Sequence, residues 1–226
     1  MERGRLAGLH HCSVTGLDEI LAAVDERFAA RPAELVVWAD PHAGRAPADA
    51  EYSRATNPER WRILGGRVDA WIAALVESGL ASVEEVAARS VRWEVPPYTR
   101  ISSAVRVIPR APGTRGLIVA RSQVGEVPKT GITLGWGDPA VLAGLFPFCG
   151  CDACDGGAQY ELDVVDQRLG NIISGRYRRL TRGDSTITAE TDHAWSATGE
   201  WEAGDIEAVL ADPSGWLDLS GAAWVS

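Results

Sequence analysis

Apolar side chains recur every three or four positions in "GLDEILAAVDERFAA" (residues 16–30). Leu17, Ile20, Leu21, Val24 and Phe28 share one side, while Asp18, Glu19, Asp25 and Glu26 share the other. That period predicts an amphipathic helix, which Pro32 brings to an end. A second stripe runs through "TNPERWRILGGRVDAWIAALVESGL" as Trp61, Leu64, Val68, Trp71, Ile72, Leu75 and Val76. Thr56 or Asn57 is expected to cap this helix, with Pro58 in its first turn and Gly79 at its stop. Gly65 and Gly66 each weaken its interior by about 1 kcal/mol relative to alanine and suggest close approach of a neighbour. Trp71, in the middle of the stripe, is expected in the core. "AQYELDVVDQRLGNII" (158–173) carries a third stripe of Leu162, Val165, Leu169, Ile172 and Ile173.

Between the second and third stripes the period changes. "SAVRVIPR", "GLIVARSQ" and "KTGITLGW" read as strands, with turn residues in "APGT" and "VGEVP". Short connections make them an antiparallel meander. "RYRRLTR" and "STITAETD" read as two further strands, "ELVVWAD" as a short strand and "SVEEVAA" as a brief helix. The expected fold class is α+β, an antiparallel sheet packed against two or three amphipathic helices. Trp195, Trp201, Trp216 and Trp224 crowd the end of the chain and suggest a tail that docks. The expected organisation is an α+β core domain over residues 1–182 and a Trp-rich extension over 183–226, docked on that core.

Composition narrows the function classes. Charge is acidic, with 31 Asp and Glu against 22 Lys and Arg and a net charge of −9. A negative surface repels phosphate backbones and anionic lipids, so neither nucleic acid nor a membrane is expected as a partner. A protein partner is compatible with the charge. "RYRRLTR" is read as a solvated strand face. No apolar run reaches the length of a membrane span, and "MERGRLAGLHHC" lacks a signal-peptide core. The expected compartment is the cytoplasm, where cysteines stay reduced. Walker, His-Glu-x-x-His, EF-hand and Gly-x-Ser-x-Gly patterns do not occur. Asp163 and Asp166 read as helix-surface solvation. No catalytic constellation emerges, and the balance leans away from an enzyme.

The densest candidate chemistry is "FPFCGCDACDGG" (146–157), where Cys149, Cys151 and Cys154 fall in a Cys-x-Cys-x-x-Cys pattern. Three local thiolates suit zinc, which wants four ligands in a structural site. The fourth must be remote: Cys12 is the first choice, with His10, His11, His42 and His193 as substitutes. A tight turn with positive φ at Gly150 would aim the sulfurs at a common point. Cys151 and Cys154 also form a Cys-x-x-Cys pair before a predicted helix, the arrangement of a thiol–disulfide oxidoreductase. Asp152 and Asp155 oppose thiolate formation, whereas a divalent cation would reverse that effect. Cysteines packed as small apolar groups in a turn, with Asp155 capping the helix, are the third reading.

The strings "DPHAGR", "EYSR", "NPERWRILGGRVDAW" and "CGCDACD" together resemble a family of uncharacterised actinobacterial proteins, domain of unknown function 6226, over residues 20 to 182. The resemblance brings no reaction. It implies that Asp40, His42, Arg45, Tyr52, Arg54 and Arg60, which match its pattern, are worth testing as a group. Read for themselves, His42 could titrate near neutrality, the arginines could clamp a carboxylate or phosphate and Tyr52 could stack, so His42, Arg45, Tyr52, Arg54 and Arg60 form a candidate binding set. Equally, they could pin a long loop through Arg–Asp bonds. The leading expectation is a binding or regulatory protein with a cysteine-based zinc site. The alternatives are an oxidoreductase using Cys151 and Cys154 and an acidic partner-binding module without catalysis.

Overall fold

In the computed structural model, residues 16–190, 195–202 and 204–225 are described. The first stripe forms α1 (Leu17–Ala29), which buries Ile20, Val24 and Phe28. A single 3-10 turn (Pro58–Trp61) leads into α2 (Arg62–Glu77). Asn57 sits before that turn in the left-handed region, with no side-chain cap. Thr56 does not cap either, because its hydroxyl is used elsewhere. The C-terminus of α2 closes as expected: Gly79 N–H donates to Val76 and Leu80 N–H to Leu75, both at 3.0 Å. Gly79 takes the left-handed φ of +74° that this motif requires. Trp71 is 1 % exposed.

The chain then enters a five-stranded antiparallel meander in sequence order: β1 (Ala81–Val86), β2 (Ser103–Pro109), β3 (Leu117–Val124), β4 (Val127–Trp136) and β5 (Val141–Phe146). The expected helix over "SVEEVAA" is therefore a strand. Six residues are too few for a helix to hold by itself. Pairing along β2, from Ala81 with Pro109 to Val86 with Ala104, satisfies the backbone instead. The expected strand over "ELVVWAD" is irregular: Val36 and Val37 face solvent and no strand pairs with them. β5, within the apolar run before the cysteines, was missed.

β3 is covered on both faces, and its period of two shows how. Leu117 and Val119 join α1, α2 and α3 in the main core, while Ile118 and Ala120 pack with Val91, Ala104 and Ala140 on the other side. α3 (Gly157–Ile173) closes the helical layer. A polar brace centred on buried Arg67 ties the three helices together. Arg67 of α2 donates to Asp166 of α3 at 2.6 and 2.9 Å and to Asp25 of α1 at 2.7 Å. Trp71 Nε1 donates to the same Asp166 at 2.7 Å. Asp166 is thus a structural partner, because the arginine that neutralises it comes from another helix.

A second antiparallel sheet has the order β8 (Trp195–Thr198), β7 (Ser185–Ala189), β6 (Arg178–Arg182) and β9 (Leu217–Leu219). α4 (Asp205–Ala211) supplies Ile206 to a small core with Leu180, Ile187 and Trp216. Residue 182 ends β6, so strands of this sheet come from either side of that position. Trp224 is 3 % exposed and belongs to the main core, its N–H donating to Ile173 at 2.7 Å. Two arginines of the basic run are paired: Arg178 with Asp218 at 2.7 Å and Arg179 with Glu94 at 3.2 Å. No described helix is long and apolar enough to cross a membrane.

Candidate metal centre

β5 delivers the chain to the cysteine loop. Gly150 adopts φ +80°, and a Cβ there would lie 2.6 Å from Val124 Cγ1. Glycine therefore answers both a backbone and a steric demand. The turn brings the Sγ atoms of Cys149, Cys151 and Cys154 within 4.8 Å of one another, and the three thiols are free. They could hold a metal ion. Bonds of about 2.3 Å in a tetrahedron place sulfurs roughly 3.8 Å apart, so small side-chain adjustments suffice. Cys151 is 8 % exposed, while Cys149 and Cys154 are exposed. Cys12, the expected fourth ligand, and His10, His11 and His193 lie outside the described residues.

The sulfurs polarise each other. Burial raises the Cys151 thiol, but hydrogen bonds from Cys149, Cys154 and the backbone N–H groups of Cys154 and Ala153 outweigh it and leave the group below its ordinary value. The hydrogen bond to Cys151, then burial, push Cys154 up to about 12. Beside the thiols lies a cavity of about 220 Å3, lined in part by Cys149, Cys154, Phe148, Tyr160 and Glu161. Glu161 is only 6 % exposed. Burial and the neighbouring Asp155 push its carboxyl up to about 7, against a backbone N–H at Gly156 and the charge of Arg60.

The two aspartates between and after the cysteines point away from the sulfurs and into the long loop that precedes α2. Asp152 accepts Arg54 Nε, Thr56 N–H and Thr56 Oγ1, each at 2.6 Å, and Arg60 Nη2 at 3.4 Å. Its own N–H donates to the Arg54 carbonyl at 2.7 Å. Burial would raise the Asp152 carboxyl, but Arg54 and Thr56 hold it well below the usual carboxylate range. Asp155, whose side chain is fully buried, forms an ion pair with Arg60 Nη2 at 2.9 Å and accepts Trp38 Nε1 at 2.9 and 3.0 Å and Gly157 N–H at 2.9 Å. That last bond lies at the start of α3, but the N-cap is Gly156 and no side chain caps the helix: Asp155 sits one position before the cap and binds the first helical N–H. The Arg60 guanidinium lies over the Trp61 and Trp38 rings, 5.1 and 5.6 Å from their centroids.

The candidate binding set is placed around this junction. Arg45 and Arg54 both reach Glu51, at 3.0 and 3.7 Å, and His42 Nε2 stands 3.6 Å from it. The hydrogen bond from Arg45 draws the Glu51 carboxyl down to about 2. His42 Nδ1 lies 3.3 Å from the Asp155 carbonyl. These side chains converge on Glu51, Asp152 and Asp155, and Tyr52 is 60 % exposed. The loop also approaches α3 closely: Ala158 N–H donates to the Trp38 carbonyl at 3.0 Å, and a Cβ at Gly157 would lie 2.6 Å from Asp40 N. Sequence reasoning missed Trp38, Glu51, Thr56 and Glu161 and gave Asp152 no partner. The available signal was charge: one loop holds arginines and the other aspartates, and opposite charges at low exposure must find each other.

No curated protein and no solved structure matches this chain. A family model does match, over residues 24–224, and thus includes the C-terminal segment that the sequence resemblance had left out. With nearly all of the described residues inside that match, the chain belongs to the family of unknown function DUF6226.

Proposed function

We propose that this chain is a non-catalytic zinc-binding protein in which Cys149, Cys151 and Cys154 supply thiolates from one rigid loop. The convergence of the three sulfurs carries this reading. Arg54, Thr56 and Arg60 support it by drawing Asp152 and Asp155 away from the sulfurs, so the carboxylates anchor the loop and the thiols are left to face one another. A zinc ion would offset the charge of three thiolates. Cys12 supplies the fourth ligand in a closed site. An exogenous ligand entering from the adjoining cavity supplies it in an open one. His42, Arg45, Arg54 and Arg60 position the loop, and exposed Tyr52 is left for a protein partner.

The oxidoreductase alternative fares worse on one point. The thiol drawn below its ordinary value is Cys151, the buried one, whereas an attacking thiol must meet its disulfide substrate. The test is metal content after purification and dialysis, followed by cobalt substitution. About one zinc per chain and a thiolate-to-cobalt charge-transfer band are expected. Cys149→Ser and Cys154→Ser, at exposed positions, should each remove most of the binding while the fold is kept. Cys12→Ser separates the closed site from the open one. A metal-free protein that cobalt does not colour would sink the proposal, and catalysis of disulfide exchange by that protein would install the alternative.

A further inference from the structure

A different region carries a ligand site of its own. The cavity between α1, α2 and the start of β4 has a volume of about 590 Å3, within the roughly 300–1,000 Å3 of small-molecule sites. We infer that it binds a small organic anion with an apolar body, a carboxylate or a phosphate monoester.

The charge of the lining is the first observation. Arg27, Arg31, Arg62, Arg121 and Lys129 face carboxylates only at Asp69 and Glu77. Arg27 pairs with Glu77 and Arg121 with Asp69. Among the described residues, Arg31, Arg62 and Lys129 have no carboxylate within ion-pairing distance. A concentration of unneutralised cations in a chain of net charge −9 focuses a positive potential on this cavity. The cavity beside Trp38 shows no such excess, since its lining balances Arg60 and Arg62 with two carboxylates, Glu34 and Glu59.

Construction of the walls is the second. Gly65 and Gly66 form part of α2 where a side chain would close the space. A Cβ at Gly65 would fall 2.5 Å from Arg121 Nη1, and one at Gly66 would fall 2.6 Å from Leu35 Cδ1. The helix gives up propensity at these positions, and the space so kept lets Arg121 lie across α2. Arg31 is fixed by bonds from Nε to the Leu35 carbonyl at 3.1 Å and from Nη1 to the Phe28 carbonyl at 3.3 Å, with its guanidinium over the Phe28 ring. Arg27 Nε is buried with no hydrogen-bond partner. Phe28, Leu35 and Ala70 supply an apolar surface beside these cations. Fixed guanidiniums next to an aromatic wall match an anionic head on an apolar body. Lys129, the only lysine of the chain, adds a point charge at the rim.

The test titrates the full chain with 1-naphthyl phosphate, 1-naphthoate and uncharged 1-naphthol, with peptide mapping of Lys129 acetylation at each ligand concentration. The proposal expects saturable binding of at least one anion and protection of Lys129 by it. Losing one charge-assisted contact is worth about tenfold, so 1-naphthol should bind at least about tenfold more weakly. The Arg62→Gln/Lys129→Gln double variant, altered only at exposed positions, should lose a similar factor with its thermal midpoint unchanged. Whichever anion binds tighter identifies the head group. No saturable binding of either anion, equal binding of 1-naphthol, or full affinity in the folded double variant overturns the inference.

Discussion

Asp166 and Asp155 receive the same pair of donors from different places. Asp166 takes Arg67 at 2.6 Å and the Trp71 indole at 2.7 Å; Asp155 takes Arg60 at 2.9 Å and the Trp38 indole at 2.9 Å. The first constellation joins helices that already bury Ile20, Val24, Leu64, Val68, Val165 and Leu169 against each other. The second joins segments that hold no more than single 3-10 turns, in which Val36, Val37 and Phe148 face solvent. An ion pair among packed helices adds little that hydrophobic burial has not supplied. The same pair between two loops supplies most of what orders them, since ordering each residue costs about 1–2 kcal/mol. The cysteine loop therefore rests on polar bonds and the core on apolar ones.

The largest test of that contrast is Trp71→Ala. It removes a ring at the centre of the apolar layer and should cost about 3–5 kcal/mol in urea unfolding. A loss below about 1 kcal/mol would mean that the helical layer does not rest on apolar burial. Asp155→Ala should cost about 3 kcal/mol, at the low end for a broken buried pair because Asp152 still reaches Arg60. Its diagnostic effect is local: alkylation of Cys151 should accelerate well before the core unfolds. Equal rates for Cys151 alkylation and global unfolding would show that the loop and the core are one unit.

Glu161 adds a pH arm. Its carboxyl titrates at about 7 in the fold, above an unfolded value near 4.3. Below the unfolded value the group is protonated in both states and adds no penalty. As pH rises between the two values the unfolded chain ionises first, and the fold loses stability until both forms are charged above pH 7. Glu161→Gln should therefore be neutral at pH 4 and stabilising by about 2 kcal/mol at pH 8. A gain of the same size at both pH values would refute the burial account. The smallest effect belongs to Arg54→Ala: its side chain is 54 % exposed, so stability should fall by at most about 1 kcal/mol. If the proposed site holds zinc, its affinity should still drop about tenfold or more, because the loop loses an orienting contact. Unchanged affinity would place Arg54 outside the support of the metal centre.

Periodic segments read true because local burial and local geometry agree there. α1, α2 and α3 each carry a stripe that only a helix can bury, and β2, β3 and β4 are β-rich runs bounded by turn residues. "SVEEVAA" failed because β2 offered an edge that no local pattern reveals. Asp166 failed because its partner Arg67 lies 99 positions away. The turn at Gly150 and the meeting of the cysteine sulfurs were legible from spacing, which leaves a short loop few ways to close.

By itself the sequence determined the α+β class, the apolar faces of the main helices, the antiparallel meander and the clustering of Cys149, Cys151 and Cys154. These depend on neighbours a few residues apart or on a period. Tertiary structure alone decided that Arg54 and Arg60 meet Asp152 and Asp155, that Glu161 is buried beside Asp155, and that cations from α1, α2 and the β3–β4 hairpin line one cavity. Charge interactions act through space with no period along the chain, so their partners emerge only when apolar packing has brought distant segments together.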